Sequence, residues 1–272
     1  MTLTFTQIAK KYLAERAVSK AHEANVLRLA ARVKHPKQEA VNAYLKSRLA
    51  TRSSITCRCE RVMLVGLWRW AWDADLIKDP PKGIMRIKGK KPPTKAWTVE
   101  QIQSAIKATE GYKGKWTRTG APMSLVMRCW MLLAYESGAR FGDVWAFRAE
   151  NFDADTLRWQ QHKTGDAITK LLSPACVEAV KKLLVMSPDG SVLGWVCKKR
   201  QAMRLMKAHL RSCGLDGSSK WLRRSGATHV EMENPGKGRY HLGHRSVGLF
   251  ESAYADWGQI RQNAPVVPRL VS

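Results

Sequence analysis

Lys220-Trp-Leu-Arg223-Arg224-Ser-Gly-Ala-Thr228 is followed by His241-Leu-Gly243-His244-Arg-Ser246 and, near the C-terminus, by Tyr254. Upstream, Glu136-Ser-Gly-Ala-Arg140-Phe-Gly-Asp143 and Gln161-His-Lys163-Thr-Gly165 complete an ordered series. Together these residue types serve phosphate chemistry. Two arginines can each grip two phosphate oxygens, because the planar guanidinium fork matches the anion. Lysine and histidine can move protons, and tyrosine can attack phosphorus. Breaking a phosphodiester asks for fixed cations at the non-bridging oxygens and a proton donor for the departing one. Tyrosine, with a reference pKa of about 10, attacks poorly unless nearby cations favour its phenolate.

Taken singly, each residue has a plainer reading. Arg140 would be a cation at a helix C-terminus. Lys163 would be an ordinary turn lysine, His244 a core histidine and Tyr254 a half-buried helix residue. The order of the whole set favours chemistry.

Composition points the same way. The 272 residues suffice for one large domain or two ordinary ones. Lys and Arg number 47 against 22 Asp and Glu, a net charge of +25, with a pI near 10.2. Such an excess attracts polyanions and releases their counterions on binding. Nucleic acid is the partner this predicts; anionic lipid and ribosomal RNA are the alternatives. Because the basic residues are interleaved with apolar ones through both halves, they predict folded basic surfaces rather than a tail. There is no apolar run of about 18 residues and no secretory leader at the N-terminus, so a cytoplasmic location is expected. Six scattered cysteines lack the paired spacing of a zinc site and read as reduced thiols.

Helical periodicity dominates the first eighty residues. Phe5, Ile8, Tyr12 and Leu13 share a face, as do Val26, Leu29, Ala30 and Val33, and then Val41, Tyr44, Leu45 and Leu49. A fourth helix starts near Ser53 or Ser54 and carries Trp68, Trp70 and Trp72, whose alternation reads as graded burial. Asp79-Pro80-Pro81 ends it. The next segment is basic and rich in Gly and Pro, an extended linker whose lysines could follow phosphates or simply be solvated. Thr98-Val-Glu-Gln101 is a capping box opening the second domain. An apolar helix over 121–136 ends at Gly138, and residues 156–172 alternate as a β-hairpin turning at Gly165. Ser173-Pro174 starts another helix. Further helices are expected over 199–211, 219–232 and 247–257. The predicted class is mainly α with a small β-hairpin or sheet (α+β). Residues 1–82 form a helical domain, 83–96 a linker, and 97–272 a second domain with a C-terminal tail.

The four boxes, in this order, resemble those of the tyrosine recombinases, the phage integrase family, and the likeness covers nearly the whole chain. It implies a core-binding domain followed by a catalytic domain. Tyr254 would be the nucleophile forming a 3′-phosphotyrosyl link, Arg140 and Arg223 the phosphate clamp, and Lys163 the donor to the leaving 5′-oxygen. His244 would hydrogen-bond the phosphate, and Asp143 would support the arginine turn. Neither metal, ATP nor any other cofactor is implied. Partners would be duplex DNA with paired recombination sites and three further copies of the chain, a homotetramer on DNA whose tails dock on neighbours. With little chain before the first helix, a separate arm-binding domain is not expected.

Two departures stand out. Lys220 occupies the usual histidine position, which makes its role mainly electrostatic, since lysine is a poor base near neutral pH. Ten positions rather than nine separate His244 from Tyr254, consistent with an extra residue near Gly248 in the intervening loop. Alternatives on the same scaffold are a DNA-binding protein that no longer cleaves and a type IB topoisomerase.

Overall fold

The computed structural model describes residues 3–89, 93–115, 119–194, 197–244 and 246–262. The chain divides into two compact units, Met1–Pro92 and Pro93–Ser272. In the first, α1 (Phe5–Glu15), α2 (Lys20–Ala30), α3 (Gln38–Thr51) and α4 (Ser54–Asp73) follow one another. Their starts are chemically defined. Thr4 and Gln7 form a reciprocal capping box, and the Ser19 and Ser53 hydroxyls accept the His22 and Thr56 amides, both at 3.3 Å. The faces read from the sequence supply the core: Phe5, Ile8, Val26, Leu29, Val41 and Leu45 are buried around Leu64 and Trp68 of α4.

The tryptophan alternation resolves as helix rotation. Trp68 is buried, Trp70 half-buried and Trp72 exposed. A buried carboxylate completes the unit. Arg48 donates twice to Glu60, at 2.9 and 2.8 Å, and the Tyr44 hydroxyl donates once at 2.9 Å. The Arg48 hydrogen bonds outweigh burial and hold the Glu60 carboxyl below its ordinary range. Beyond the proline pair the chain is extended but docked. Asn42 bonds both Gly83 and Met85, Arg61 donates to the Met85 carbonyl at 2.7 Å, and Ile87 is buried. Lys90, Lys91 and Pro92 of the expected linker lie outside the described residues.

The second unit opens with α5 (Val99–Lys107), whose Thr98–Gln101 capping box is present. Then come α6 (Met123–Glu136), α7 (Phe141–Ala146), the strands β1 (Phe152–Asp153), β2 (Thr156–Gln160) and β3 (Ala167–Leu171), and α8 (Pro174–Val185). They are followed by α9 (Lys199–Ser212), α10 (Ser219–Glu233), α11 (Gly238–His241), α12 (Val247–Ala253) and α13 (Trp257–Gln262). The three strands form one antiparallel sheet in the order β1-β2-β3, with Leu157 opposite Lys170 and Trp159 opposite Ile168. Helix α6 is apolar almost all round, as a central helix must be, and Val126, Met127, Trp130, Met131 and Leu133 are buried in it. Helices α8 and α10 pack on it. At the α6–α10 crossing a Cβ on Gly226 would collide with the Tyr135 carbonyl, so only glycine lets the backbones approach.

The architecture is mainly helical with a small antiparallel sheet, as expected. Two expectations needed revision. The helix expected over 247–257 is broken at Tyr254 into α12 and α13. Gly248 lies within α12, so the segment between His244 and Tyr254 is largely helix rather than loop. Among the described residues no helix is long and apolar enough to cross a membrane.

Candidate active site

The site is assembled at three chain reversals. Helix α6 ends at Glu136, and just beyond its C-cap Gly138 has a φ of 60°, the left-handed conformation that glycine adopts without strain. Two residues later Arg140 is the N-cap of α7. Its amide donates to Asp143 Oδ2 at 3.2 Å, and Asp143 Oδ1 accepts the His162 amide at 3.1 Å. The buried Asp143 thus ties the arginine turn to the β2–β3 turn. Gln161 makes the second tie. The Arg140 guanidinium and the Thr164 hydroxyl both donate to its Oε1, and its Nε2 donates to the Leu242 carbonyl at 3.1 Å.

Arg223, on α10, is 2% exposed. It donates to the Gly138 carbonyl, and its Nη2 lies 3.1 Å from the Leu242 carbonyl and 3.2 Å from His244 Nε2. Burial, helped by Arg140, pushes its pKa down to about 10, which leaves it charged at neutral pH. The same forces act on His244. Burial first, then Arg223 and Arg140, push its pKa down to about 4, so the imidazole is neutral. A guanidinium can only donate, so His244 Nε2 accepts and the ring proton sits on Nδ1. Both Nδ1 of His244 and Nε of Arg223 are buried without a hydrogen-bond partner among the described residues. Each is an unsatisfied buried donor, a costly arrangement unless an acceptor reaches it.

Tyr254 stands beside them. It is the C-cap of α12 (φ −131°), with its amide on the Phe250 carbonyl at 2.9 Å. Its ring meets His244 edge-on, centroids 4.8 Å apart. Lys220 Nζ lies 5.4 Å and Arg223 Cζ 5.5 Å from the ring centroid, both within cation–π range. The ten-residue spacing therefore still brings the phenol to the histidine and to both cations of the Lys220-Trp-Leu-Arg223 box.

Arg140, Asp143, Arg223, His244, Lys220 and Tyr254 are thus joined by direct contacts, through Gln161 and the Leu242 carbonyl where they do not touch. Lys163 is different. It is exposed on the hairpin turn, and no hydrogen bond or ion pair links it to the others among the described residues. His241 packs instead of facing the site: its Nε2 meets the Tyr135 carbonyl at 3.1 Å, and burial pushes its pKa to about 3. Sequence reading quoted Gln161 within the lysine box but gave it no role. It also passed over Lys170 of β3, which donates to the Tyr240 carbonyl at 3.1 Å and which burial, with Arg223, pushes down to about 8. The alternation of β3 could have flagged Lys170, as a lysine in register with the buried Leu157.

No protein-family model and no curated protein matches the sequence. Solved structures match the fold. Lambda integrase in a dimer bound to a COC′ core site is similar over 100% of this chain and 100% of its own, with a TM-score of 0.77 at 18% identity. A lambda integrase tetramer bound to a Holliday junction matches with a TM-score of 0.75 at 17% identity, over 93% of this chain and 77% of that one. The Tn1549 transposon integrase in complex with circular intermediate DNA gives 0.71 at 15% identity, over 96% and 99%. At such identities the likeness is one of fold. This chain has the integrase fold that its resemblance to the tyrosine recombinases implied.

Proposed function

We propose that this chain is a site-specific DNA recombinase that cuts and rejoins duplex DNA through a 3′-phosphotyrosyl intermediate at Tyr254. One observation carries the reading: Tyr254 packs against the Arg223 and His244 side chains, each of which carries a buried donor without a partner, beside the further cation Lys220. An acceptor anion beside a tyrosine is what such a cluster suits, and a scissile phosphate supplies one.

In this reading the Tyr254 hydroxyl gives up its proton to solvent as its oxygen attacks phosphorus, the P–O3′ bond stays intact and the P–O5′ bond breaks. Arg140, Arg223 and the Nδ1–H of His244 hold the non-bridging oxygens, where negative charge grows in the transition state. Asp143 and Gln161 fix the Arg140 turn. Lys163 reaches in from its exposed turn and gives a proton to the departing 5′-oxygen. Lys220 contributes positive charge. Ligation reverses each step with a 5′-hydroxyl from another strand, so the phosphoester bond is exchanged rather than lost, and neither ATP nor metal enters. Duplex DNA is gripped by the basic surfaces of both units, with a tetramer pairing two sites. Of the tail expected to join neighbouring copies, residues 263–272 lie outside the described residues.

The test uses the full chain and nicked duplexes selected from a random pool for binding to it, with nicks at successive positions. A protein–DNA adduct that survives denaturant with wild type, and is lost with Tyr254→Phe, is the expected result. Binding without any adduct would favour the non-cleaving DNA-binding protein. Relaxation of supercoiled plasmid without strand exchange would favour the topoisomerase.

A further inference from the structure

Tyr254 sits at a helix break that contains neither glycine nor proline, so tertiary contacts must hold the break open. Those contacts are concentrated on Asp256. One carboxylate oxygen, Oδ1, accepts the amides of Gly258 and Gln259 at 3.1 and 3.4 Å and starts α13. The other, Oδ2, accepts the Ala96 amide at 2.8 Å. Gln259 closes the link by donating to the Ala96 carbonyl at 2.8 Å and to Asp256 Oδ2 at 3.3 Å. Both polar groups of the Ala96 peptide region are thereby bound to the segment that follows Tyr254.

The same segment is referenced to the helix carrying Lys220 and Arg223. The buried Thr228 hydroxyl of α10 donates to the Tyr254 carbonyl at 3.1 Å and accepts the Asp256 amide at 3.2 Å. Ser225, a turn earlier on α10, accepts the Trp97 amide at 2.8 Å. Residues 96–97, α10 and residues 254–259 therefore form one hydrogen-bonded triangle with Tyr254 at a vertex.

We infer that Asp256, assisted by Gln259, is the positioning residue for Tyr254: it ties the chain entering the second unit to the segment bearing the phenol and so sets where the phenol stands against Arg223 and His244. The inference rests on the proposed function. Displacement of a reacting group by about 1 Å can cost on the order of 100-fold in rate, so a tie of this kind acts on the chemical step and not on DNA affinity.

The experiment measures single-turnover adduct formation by the full chain on the nicked duplexes, alongside DNA affinity, melting temperature and amide hydrogen exchange. Asp256→Ala is expected to slow adduct formation by roughly 10- to 100-fold with affinity unchanged, and to speed exchange across 254–259 while α10 stays protected. Asp256→Asn, which keeps one acceptor oxygen and turns the other into a donor, recovers only part of the rate. Gln259→Ala, which leaves the α13 cap in place, serves if Asp256→Ala does not fold, and shows the same split at smaller size. A wild-type rate in both alanine variants overturns the inference, as does a rate that falls only in step with affinity and melting temperature. If wild type forms no adduct at all, the recombinase reading fails instead, and the exchange pattern alone decides whether the tie holds Tyr254.

Discussion

Arg223 is buried among main-chain carbonyls and Arg140 is fixed through Asp143 and Gln161, whereas Lys163 stands exposed on a hairpin turn and Lys220 is exposed at the start of α10. The site thus has a fixed half and a free half. Guanidinium is weakly hydrated and tolerates burial while charged, and its fork needs a set orientation to meet two phosphate oxygens. An ammonium that delivers a proton has to move with the proton's destination, and it keeps its charge best in water. Under the proposed mechanism, orientation falls to the two held arginines and proton delivery to the exposed lysine.

The most severe break in the fixed half is Arg223→Ala. It should slow adduct formation by about 10²- to 10³-fold and also lower stability by about 1–3 kcal/mol, because the Gly138 and Leu242 carbonyls lose a buried donor. Arg223→Lys should rescue neither in full; wild-type rates in that variant would remove the fork from the account. In the free half, Lys163→Ala should slow cleavage by about 10²-fold with no change in melting temperature. A 5′-thiol leaving group, which needs no protonation, should restore the rate, and failure of that rescue would take the proton from some other group. Gln161→Leu tests the join between the arginine turn and the Leu242 carbonyl. It should cost about 1–3 kcal/mol and slow cleavage less than the Arg223 change; an unaltered melting curve would show that the join does not hold the site together.

A last effect concerns pH. His244 and His241 have folded pKa values of about 4 and about 3, both below the ordinary 6.5. Between those values the unfolded chain binds protons that the folded chain refuses, so acid favours unfolding. Their contribution to stability is complete above about pH 6.5 and is lost as pH falls toward 4 and then 3. Denaturant titrations from pH 7 to 4 should show this fall, and His241→Asn should flatten it; a flat wild-type profile would contradict the buried neutral imidazoles.

Much of this was readable from the chain because it depends on local periodicity. The faces of α1 to α4, the apolar α6, the Thr98–Gln101 capping box and the Gly165 turn follow from spacing and from residues with few conformational options. Helices α7 and α11 and strand β1 were missed because six, four and two residues carry no period. The break at Tyr254 was invisible for another reason: nothing in Ser252-Ala-Tyr-Ala-Asp256 forbids a helix, and the opposing force comes from Thr228 and Ala96, far away in sequence. Gln161 belongs to the same class. A glutamine acquires its role only when the Leu242 carbonyl and Arg140 arrive on either side of it. The order of the boxes located the candidate site, and only the packing distinguished its fixed half from its free half.

The most direct test of the central claim is to digest the denatured adduct and identify by mass spectrometry the residue that carries the nucleotide. The account predicts a 3′-phosphonucleotide on Tyr254, in the peptide between Arg245 and Arg261. A nucleotide on Tyr240 or any other residue, or no adduct on duplexes the protein binds, would contradict it.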